Sequence, residues 1–545
     1  MNQSIKNKIN NKEMLFLISG IFILIIIGIK WSIGLSQHMD ILFGDEAEYM
    51  RNGLDFPQII RNDWGPSYNL WYKFLSIFIT DKISLYNFNY IFGSIVVTVL
   101  LYILLFTLSI EPFISLYISF CFFVSSIDIN TWPRISHFVL MMILTSFIII
   151  SRINSTAKKI LVLSITFYIC SYARPDLFII FFILLLSSFY FIYKEKNKIK
   201  SLIPYLILLV AVIIFFQFVF GFPSATYKNG LNRLYSAFCQ HYSMNYRYRT
   251  GIKFDAVTEW IEFCKLKFPD CYTISDVIKN HPGDFFQHVF FNLKNYGFIL
   301  LNTILSFIFP TGIFRSKKAL LLAALMLTFI ITYIFLQKEK SNHFIFLLKK
   351  NAFILFILFI FGIPSIGMST IIFPRPHYIL LHSIFFIILI SILLQSIFKE
   401  VKSNNKLFII AALILIFIAP NAKHYKYMQF GKDMENLCDQ KLIRFLEIKK
   451  DKKYTVFTNY LNITYILPKN YHEFSTEFEL KKGMSFDSIL KQRNINVILV
   501  STNILQNPIL VKDSIWNQLI AKPENFNFKK FKYSDNCESY LLIKE

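Results

Sequence analysis

The chain has 545 residues, of which 55% are hydrophobic and 18% aromatic, and its mean hydropathy is +0.48. Apolar runs of about 20 residues recur along it, which excludes a soluble globular protein and predicts a polytopic α-helical membrane protein. The formal net charge is +23. Most of that charge is typical of cytoplasmic loops that orient the helices, with attraction to anionic lipids or phosphorylated donors as the alternative. The basic residues form no stripe, so nothing indicates a nucleic-acid partner.

The apolar runs predict about 11 to 13 transmembrane helices. Lysines at the start and in later loops predict a cytoplasmic N-terminus, and the abundance of Lys, Ile, Asn and Phe is typical of a bacterial protein, here one of the cytoplasmic (inner) membrane. Residues 296–314 are apolar enough to span, yet counting them would reverse every later loop, so we interpret them as re-entrant or interfacial. The predicted spans are 14–36, 88–109, 113–127, 135–151, 158–172, 175–193, 201–222, 319–336, 351–371, 378–398 and 407–420.

The same orientation places two long loops, 37–87 and 223–295, outside the membrane domain predicted over 1–420. Residues 421–545 are more polar and contain short runs typical of strands, with one helical stretch at 486–492. We therefore predict a small extracytoplasmic α/β domain at the C-terminus. Its predicted strands are 454–458, 496–500 and 540–543.

The seven cysteines divide by location. Cys121 and Cys170 lie in apolar runs, where thiols are inert packing residues. The other five lie in regions predicted to face an oxidising exterior, where disulfides can form. They are Cys239, Cys264 and Cys271 in the outer loop, and Cys438 and Cys537 in the C-terminal domain.

Three carboxylates, Asp45, Glu46 and Glu48, follow directly after the first predicted span. Ionisable residues are costly to hold near hydrocarbon, so this placement indicates function. An acid here could be the general base of an enzyme that acts on lipid-borne substrates. The alternative is a capping box, because Asp45 and Glu48 have the required spacing. The two roles are compatible, since a cap would hold the carboxylate rigidly.

Two further segments lie on the predicted outer face. Asp63 and Tyr68 bracket a Gly-Pro turn, which is either a simple turn with an aromatic anchor or a substrate-facing rim. Asp128 and Arg134 lie in the next outer loop. Asp128 could assist the first acid or hold a divalent cation through oxygen ligands, and a surface pair between the two is the alternative.

Two arginines lie at the outer ends of predicted spans. Arg174 offers bidentate donors that suit phosphate, with an Arg174–Asp176 pair as the alternative. Arg375 and His377 could stabilise a phosphate leaving group, with snorkelling to the interface as the alternative. Tyr378 follows at the start of the late span.

Together these landmarks resemble the GT-C superfamily of integral membrane glycosyltransferases, in particular the protein O-mannosyltransferases and the lipid A aminoarabinose transferases. The family's acidic motif after the first span is matched by Asp45-Glu46, and its Pro-Leu-Tyr-like element by Pro66-Ser67-Tyr68. The Arg-Pro-acid element is matched by Arg174-Pro175-Asp176. The late Arg-Tyr-x-Leu-Pro element is matched loosely by residues 375–380, which carry an inserted Pro-His and lack the final Pro.

The resemblance implies inverting transfer of a sugar from a polyprenyl-phosphate donor to an extracytoplasmic lipid, glycan or protein acceptor. Asp45, with Glu46 beside it, would be the catalytic acid pair, and Asp128 or Glu48 a second acid or metal ligand. Some relatives use a divalent metal and others do not, so the resemblance leaves the cofactor open. The residues implied to bind the donor phosphate are Arg174, Arg375, His377 and Arg134, and those implied to form the substrate rim are Asp63, Tyr68 and Tyr378.

Three other functions are open on the sequence. A flippase or transporter of a lipid-linked glycan predicts charges near mid-bilayer and inverted repeats, neither of which is seen. A ligase or polymerase of cell-surface polysaccharide is favoured by a large basic outer loop, which 223–295 provides through Arg233, Arg247 and Arg249. A non-catalytic envelope protein is disfavoured by the acidic first loop.

Overall fold

The chain is described here from a computed structural model. The residues that the structure describes are 11–41, 44–129, 132–195, 199–223, 232–252, 256, 259–309, 317–398, 405–421, 437–448, 453–458, 467, 471–475 and 484–544.

Helices account for most of the described chain. In chain order they are α1 (Asn11–Ser32), α2 (Leu35–His38), α3 (Asp45–Leu54), α4 (Pro66–Ser76), α5 (Lys82–Thr107), α6 (Pro112–Phe123), α7 (Ser126–Ile129), α8 (Ile135–Ser151), α9 (Thr156–Ser171), α10 (Phe178–Lys194), α11 (Ile199–Phe220), α12 (Arg233–Thr250), α13 (Trp260–Lys267), α14 (Ile274–Asn280), α15 (Pro282–Ser306), α16 (Lys317–Leu336), α17 (Lys338–Lys350), α18 (Ala352–Ile371), α19 (Pro376–Ile397), α20 (Asn405–Ile418), α21 (Cys438–Ile448), α22 (Phe486–Gln492), α23 (Thr502–Leu505) and α24 (Ser514–Ala521). Three short 3₁₀ turns lie at Pro175–Leu177, Leu510–Lys512 and Pro523–Phe526.

The predicted fold class is confirmed, because the described chain is mainly helical and carries one small C-terminal sheet. Each predicted span coincides with an observed helix, with ends shifted by a few residues. Six helical stretches of the described residues are long and apolar enough to cross a membrane. They are Asn11–His38, Lys82–Thr107, Pro175–Lys194, Ile199–Phe220, Ala352–Ile371 and Pro376–Ile397, and the shorter apolar helices are Pro112–Phe123, Ile135–Ser151, Ala324–Leu336 and Lys406–Ile418.

The described chain divides into two compact units. The helical unit comprises Met1–Trp31, Pro57–Trp71 and Asn89–Ala419, and the sheet-bearing unit comprises Ser32–Phe56, Tyr72–Phe88 and Pro420–Glu545. The predicted division lay at 420/421 and assigned the whole first outer loop to the membrane domain. In the structure, two segments of the first-loop region, including the acidic helix α3, group instead with the C-terminal residues.

Glycine allows α1 and α5 to pack closely in the helical unit. A Cβ at Gly20 would lie 2.3 Å from the Tyr102 ring, and one at Gly28 would lie 2.5 Å from Ile95. The close approach lets the Tyr102 hydroxyl donate to the Phe16 carbonyl at 2.8 Å. Small residues are typical of such contacts between apolar helices.

Polar bonds tie together helix ends that the loop charges predict to share one side of the membrane. Lys350 Nζ donates to Ser109 Oγ at 2.8 Å, and Lys340 Nζ donates to the Ile397 carbonyl at 2.9 Å. Glu195, at the end of α10, accepts from Ser155 Oγ at 2.6 Å. All of these residues lie at ends predicted to be cytoplasmic, so the packing agrees with that assignment, which stays a prediction.

Residues 296–306 continue α15, which begins at Pro282 in the large outer loop. The Ile308 carbonyl then accepts a 2.5 Å hydrogen bond from Tyr117 on α6. Residues 310–314, at the end of the segment interpreted as re-entrant or interfacial, lie outside the described residues. Whether the segment crosses a membrane stays a prediction.

The sheet-bearing unit contains five strands in the order β2-β1-β3-β5-β4. They are β1 (Tyr454–Thr458), β2 (Tyr471–Ser475), β3 (Val497–Val500), β4 (Phe528–Phe531) and β5 (Tyr540–Lys544). Strand β1 runs parallel to β2 and β3, with Val456 opposite Val497, whereas β5 runs antiparallel to β3 and β4. The three predicted strands and the helix at 486–492 are observed, and β2 and β4 are additional.

Both faces of this sheet are covered. Successive side chains of a strand point to opposite faces. Val497 and Leu499 therefore pack with Leu446 of α21, while Ile498 and Val500 pack with Trp516 of α24. A strand buried on both faces has no apolar–polar alternation, which is why β3 appears in the sequence as a continuous apolar run.

The N-terminal end of α21 is fixed in two ways within the sheet-bearing unit. The Asp40 carboxylate accepts from the backbone N–H groups of Asp439 at 2.9 Å and Gln440 at 3.0 Å, which caps the helix from a distant segment. Cys438 and Cys537 form a disulfide. The loop cysteines Cys239, Cys264 and Cys271 are free and buried.

Candidate active site

The acidic motif forms the first turn of α3, with Asp45 as its first residue. The N-cap is Gly44, whose φ of 116° is a conformation that favours glycine, and no side chain caps the helix. The predicted capping box is therefore wrong, because the helix begins at Asp45, one residue earlier than a box with Asp45 as its N-cap requires. Carboxylates in a first turn are instead stabilised by the helix dipole.

The three acids of this turn have different environments. Glu46 is 3% exposed and accepts a hydrogen bond from the Tyr72 hydroxyl. Asp45 and Glu48 are half-buried, and they share a face because of their three-residue spacing. Asp45 is thus the more accessible of the two predicted catalytic acids, and Glu46 anchors the turn.

Arg134 and Asp128 lie in a buried polar network at the start of α8. Arg134 is 1% exposed, lies over the Tyr90 ring at 4.3 Å and donates to the Asp128 carbonyl at 2.7 Å and to Ser94. The Asp128 carboxylate lies 2.9 Å from His137 Nε2, and burial raises the pKa of Asp128 to about 7. The surface pair considered for these two residues is replaced by this interior network. Both Nη atoms of Arg134 donate within the fold, so we do not assign this residue to the donor phosphate.

Asp63 and Tyr68 are also buried, at 3% and 1% exposure. Arg61 holds the Asp63 carboxylate through two bonds, from Nε at 2.8 Å and Nη2 at 3.1 Å. Tyr68 packs against Phe138 and accepts from Asn89 at 2.7 Å. The structure therefore disagrees with a substrate rim made by these two side chains, because neither is accessible.

Arg174 forms the predicted pair with Asp176, with Nε and Nη2 at 3.1 and 2.9 Å from the two carboxylate oxygens. Its Nη1 lies 3.2 Å from Ser136 Oγ and 3.4 Å from the His377 carbonyl. The guanidinium lies over the Tyr378 ring at 4.7 Å. Arg174 is thus held rigidly beside the start of α19. His377 contributes its carbonyl here, and its side chain is 5% exposed.

Arg375 is half-buried at the N-cap of α19, and an imidazole is the side-chain partner that it has among the described residues. Its Nη2 contacts His241 Nε2, and the His241 ring stacks on Phe373 with centroids 5.0 Å apart. Burial, and then the Arg375 charge, lower the pKa of His241 to about 3. His241 is therefore neutral near pH 7 and accepts from Arg375. Among the described residues, no carboxylate lies within ion-pair distance of Arg375.

A third arginine lies in this region, and in the sequence it stands out only as one of the basic residues of the outer loop. Arg233 begins α12, the helix whose His241 contacts Arg375. Arg233 lies over the Trp64 ring at 4.3 Å and donates to the Asp63 carbonyl at 2.7 Å. We call Arg174, Arg375 and Arg233 the arginine group. Arg233 and His241 are eight residues apart on α12, so they lie on nearly the same side of that helix. This spacing is the sequence signal that could have linked the outer loop to the arginine group.

The arginine group can bind an anion. Guanidinium groups fixed by stacking and hydrogen bonds need little reorganisation to meet a phosphate, and they suit it geometrically. No group of three or more His, Cys, Asp or Glu residues in the described part of the chain is placed to hold a metal ion.

No protein-family model and no curated protein sequence matches the chain. Among solved structures, it is similar to the archaeal oligosaccharyltransferase AglB from Archaeoglobus fulgidus, in complex with an inhibitory peptide and a dolichol-phosphate. The TM-score is 0.43 and the identity 12%, over 97% of this chain and 74% of the other. The function proposed below therefore rests on this chain's own residues.

Proposed function

We propose that the chain is a membrane glycosyltransferase that moves a sugar from a polyprenyl-phosphate donor to an acceptor outside the membrane. The arginine group is the observation that carries this proposal. Arg375 is a half-buried cation at the end of a membrane-length helix, and among the described residues its partner is a neutral histidine. An anion at this place would provide the missing countercharge, and a lipid phosphate is the anion found where such a helix ends.

The reaction needs a cation where negative charge develops. As the bond between the sugar's anomeric carbon and the phosphate oxygen breaks, both electrons pass to the leaving polyprenyl phosphate. Arg375 and Arg174 would stabilise that charge, and fixed donors are effective because they do not reorganise during the step. The apolar helices would hold the polyprenyl tail.

Asp45 is the proposed general base. It would take the proton from the acceptor hydroxyl or amine while that group attacks the anomeric carbon from the face opposite the phosphate, which gives inversion. This role is supported by the position of Asp45, which is half-buried at the start of α3 beside the anchored Glu46.

The test is transfer by purified protein from a set of polyprenyl-phosphate sugars to cell-envelope extracts. Asp45→Asn should lower kcat at least about 100-fold, because it removes proton transfer without changing side-chain size. Asp55→Asn is the matched control, since Asp55 caps the other end of the same helix and pairs with Arg51. Full activity of Asp45→Asn would remove Asp45 from the mechanism. If neither the wild type nor the variants transferred sugar, and the protein flipped lipid-linked glycan in proteoliposomes, the transporter would be favoured instead.

A further inference from the structure

Three buried polar side chains of the outer loop form one hydrogen-bonded cluster, which we call the clamp. Asn245 on α12 and His288 and Asn292 on α15 are 1%, 0% and 0% exposed. Asn245 Nδ2 lies 3.0 Å from His288 Nδ1 and 2.7 Å from Asn292 Oδ1. Buried polar groups are retained only when they are paired, so the cluster has defined partners.

The partners of the clamp are backbone carbonyls at the end of α18. Asn292 Nδ2 donates to the Thr370 carbonyl at 2.9 Å and to that of Ile372 at 3.0 Å. His288 Nε2 lies 3.2 Å from the carbonyls of both Ile371 and Ile372. The last carbonyls of a helix have no intrahelical donor, so the clamp satisfies groups that would otherwise be unpaired.

The clamped carbonyls lead directly to Arg375. Only Phe373 and Pro374 separate Ile372 from it, and the prolines on both sides of Arg375 restrict the backbone. The Arg375 N–H donates to the Phe373 carbonyl at 2.8 Å. His241, one turn before Asn245 on α12, stacks on Phe373 and accepts from the Arg375 guanidinium. Helix α12 therefore carries one residue of the clamp, Asn245, and one residue that contacts Arg375, His241.

We infer that the clamp is a positioning device that fixes Arg375 for binding of the donor phosphate. This inference rests on the function proposed above. The outer loop would then set the geometry of the phosphate site through the backbone of residues 370–375, without the clamp residues themselves touching the donor.

The clamp requires one tautomer of His288. Its Nε2 lies 3.2 Å from two α18 carbonyls, which can only accept, so Nε2 carries the hydrogen and Nδ1 accepts from Asn245. Asn292 Nδ2, 3.0 Å from Nε2, then donates to the carbonyls and not to the ring. Burial lowers the pKa of His288 to about 4, so the ring is neutral near pH 7. A change that removes the Nε2–H donor should release the carbonyls, whereas a change that keeps a donor at that point should not.

The chain allows a matched pair of variants at His288. In His288→Gln the amide N–H₂ can occupy the place of Nε2 and donate to the carbonyls, whereas in His288→Asn the shorter amide reaches only the place of Nδ1. Both variants lose the ring contacts with Phe238 and Tyr242. The two variants therefore differ in the bond that they keep: His288→Gln keeps the carbonyl bonds, and His288→Asn keeps the bond with Asn245.

The experiment compares steady-state kinetics and hydrogen exchange in purified wild-type and variant proteins. We expect His288→Asn to raise the donor KM about tenfold with the acceptor KM unchanged, since small displacements of a positioned group have large effects. The donor KM of His288→Gln should stay within about threefold of the wild-type value, because this variant keeps a donor to the carbonyls. Exchange of the backbone amides of Phe373, Arg375, His377 and Tyr378 should rise in the Asn variant only. Equal donor KM values and equal exchange in the two variants would overturn the inference.

Two further variants guard against general effects. Asn351→Ala removes a buried asparagine that bonds the carbonyls of Leu108 and Leu347 at a distance from the clamp, and it should leave the donor KM unchanged. Asn245→Asp is nearly isosteric and favours the opposite His288 tautomer, so it should behave as His288→Asn does even if both His288 variants fail to fold. If Asn245→Asp had the donor KM and the amide exchange of the wild type, the inference would be overturned. Absence of transfer by wild type would instead contradict the proposed function, and the exchange data would still test the clamp.

Discussion

Two arginine-centred regions of the helical unit were predicted to bind the same phosphate, and the structure gives them opposite environments. Arg134 is enclosed, with its donors on carbonyls and a hydroxyl and its face on Tyr90. Arg375 is half-buried and meets a neutral imidazole. Both arginines directly follow an aromatic residue and a proline in the sequence. The difference teaches that the partners of a cation, more than its motif, decide whether it holds the fold together or is available to a ligand.

The largest effect expected from this comparison is on stability. Arg134→Gln should lower the free energy of unfolding by about 3 to 5 kcal/mol, because it leaves buried acceptors without the charge that satisfied them. Thermal unfolding in detergent measures it. Arg152→Gln, at the exposed other end of α8, is the control and should change little. An Arg134→Gln protein of wild-type stability would break the comparison.

The next effect is on catalysis. Arg375→Gln should lower kcat/KM about 100- to 1,000-fold, as for removal of one fixed donor to a developing anion, with thermal stability near that of wild type. Arg247→Gln, an exposed arginine of the outer loop, is the matched control. If Arg375→Gln were instead unstable and its folded fraction fully active, the two arginines would have the same structural role.

A smaller effect is expected at Arg174, which has features of both regions. Arg174→Lys keeps the charge but loses the two-point contact with Asp176 and the stacking on Tyr378. We expect a loss of about tenfold in kcat/KM from misplaced charge. Asp176→Asn should give a comparable loss if the pair serves to orient Arg174, and no loss if Arg174 is held by its other contacts.

The smallest effect should come from an exposed arginine of the sheet-bearing unit. Arg444 contacts Asp81 at 2.6 and 2.8 Å, and side-chain bonds from Arg444 and Ser84 lower the pKa of Asp81 to about 2 despite partial burial. A lowered acid pKa stabilises the fold above the unfolded value near 4, and the contribution is lost as pH falls towards 2. Arg444→Gln should cost about 0.5 to 1 kcal/mol at pH 7, and this cost should fade as the pH falls through 2. A cost independent of pH would exclude the ion pair as its cause.

Much of the fold could be predicted from the sequence, because long apolar runs and short β-type runs are local signals. The helices at the predicted spans, the strand at Tyr454–Thr458 and the helix at Phe486–Gln492 are examples. Strands β2 and β4 were not predicted, since Tyr471–Ser475 and Phe528–Phe531 interleave charged or polar residues with aromatics and lie at the sheet edges. Edge strands carry weaker apolar patterns.

The candidate site depends far more on contacts that the sequence does not contain. Motif and sidedness singled out Asp45, Arg174 and Arg375, since charged residues beside apolar runs are conspicuous. Burial of Asp63 and Tyr68, and the interior network of Arg134, depend on residues tens of positions away. So does the neutral His241, which lies 134 residues from Arg375 and meets it because α12 packs on the end of α18.

The sequence by itself determined that the chain is a helical membrane protein with a small C-terminal α/β region, because hydrophobic length and periodicity act within one segment. Only the tertiary structure decided which arginine is buried with partners and which meets no carboxylate among the described residues. The physical reason is that the free energy of a charge depends on all its neighbours and on its distance from water, and both are set by packing.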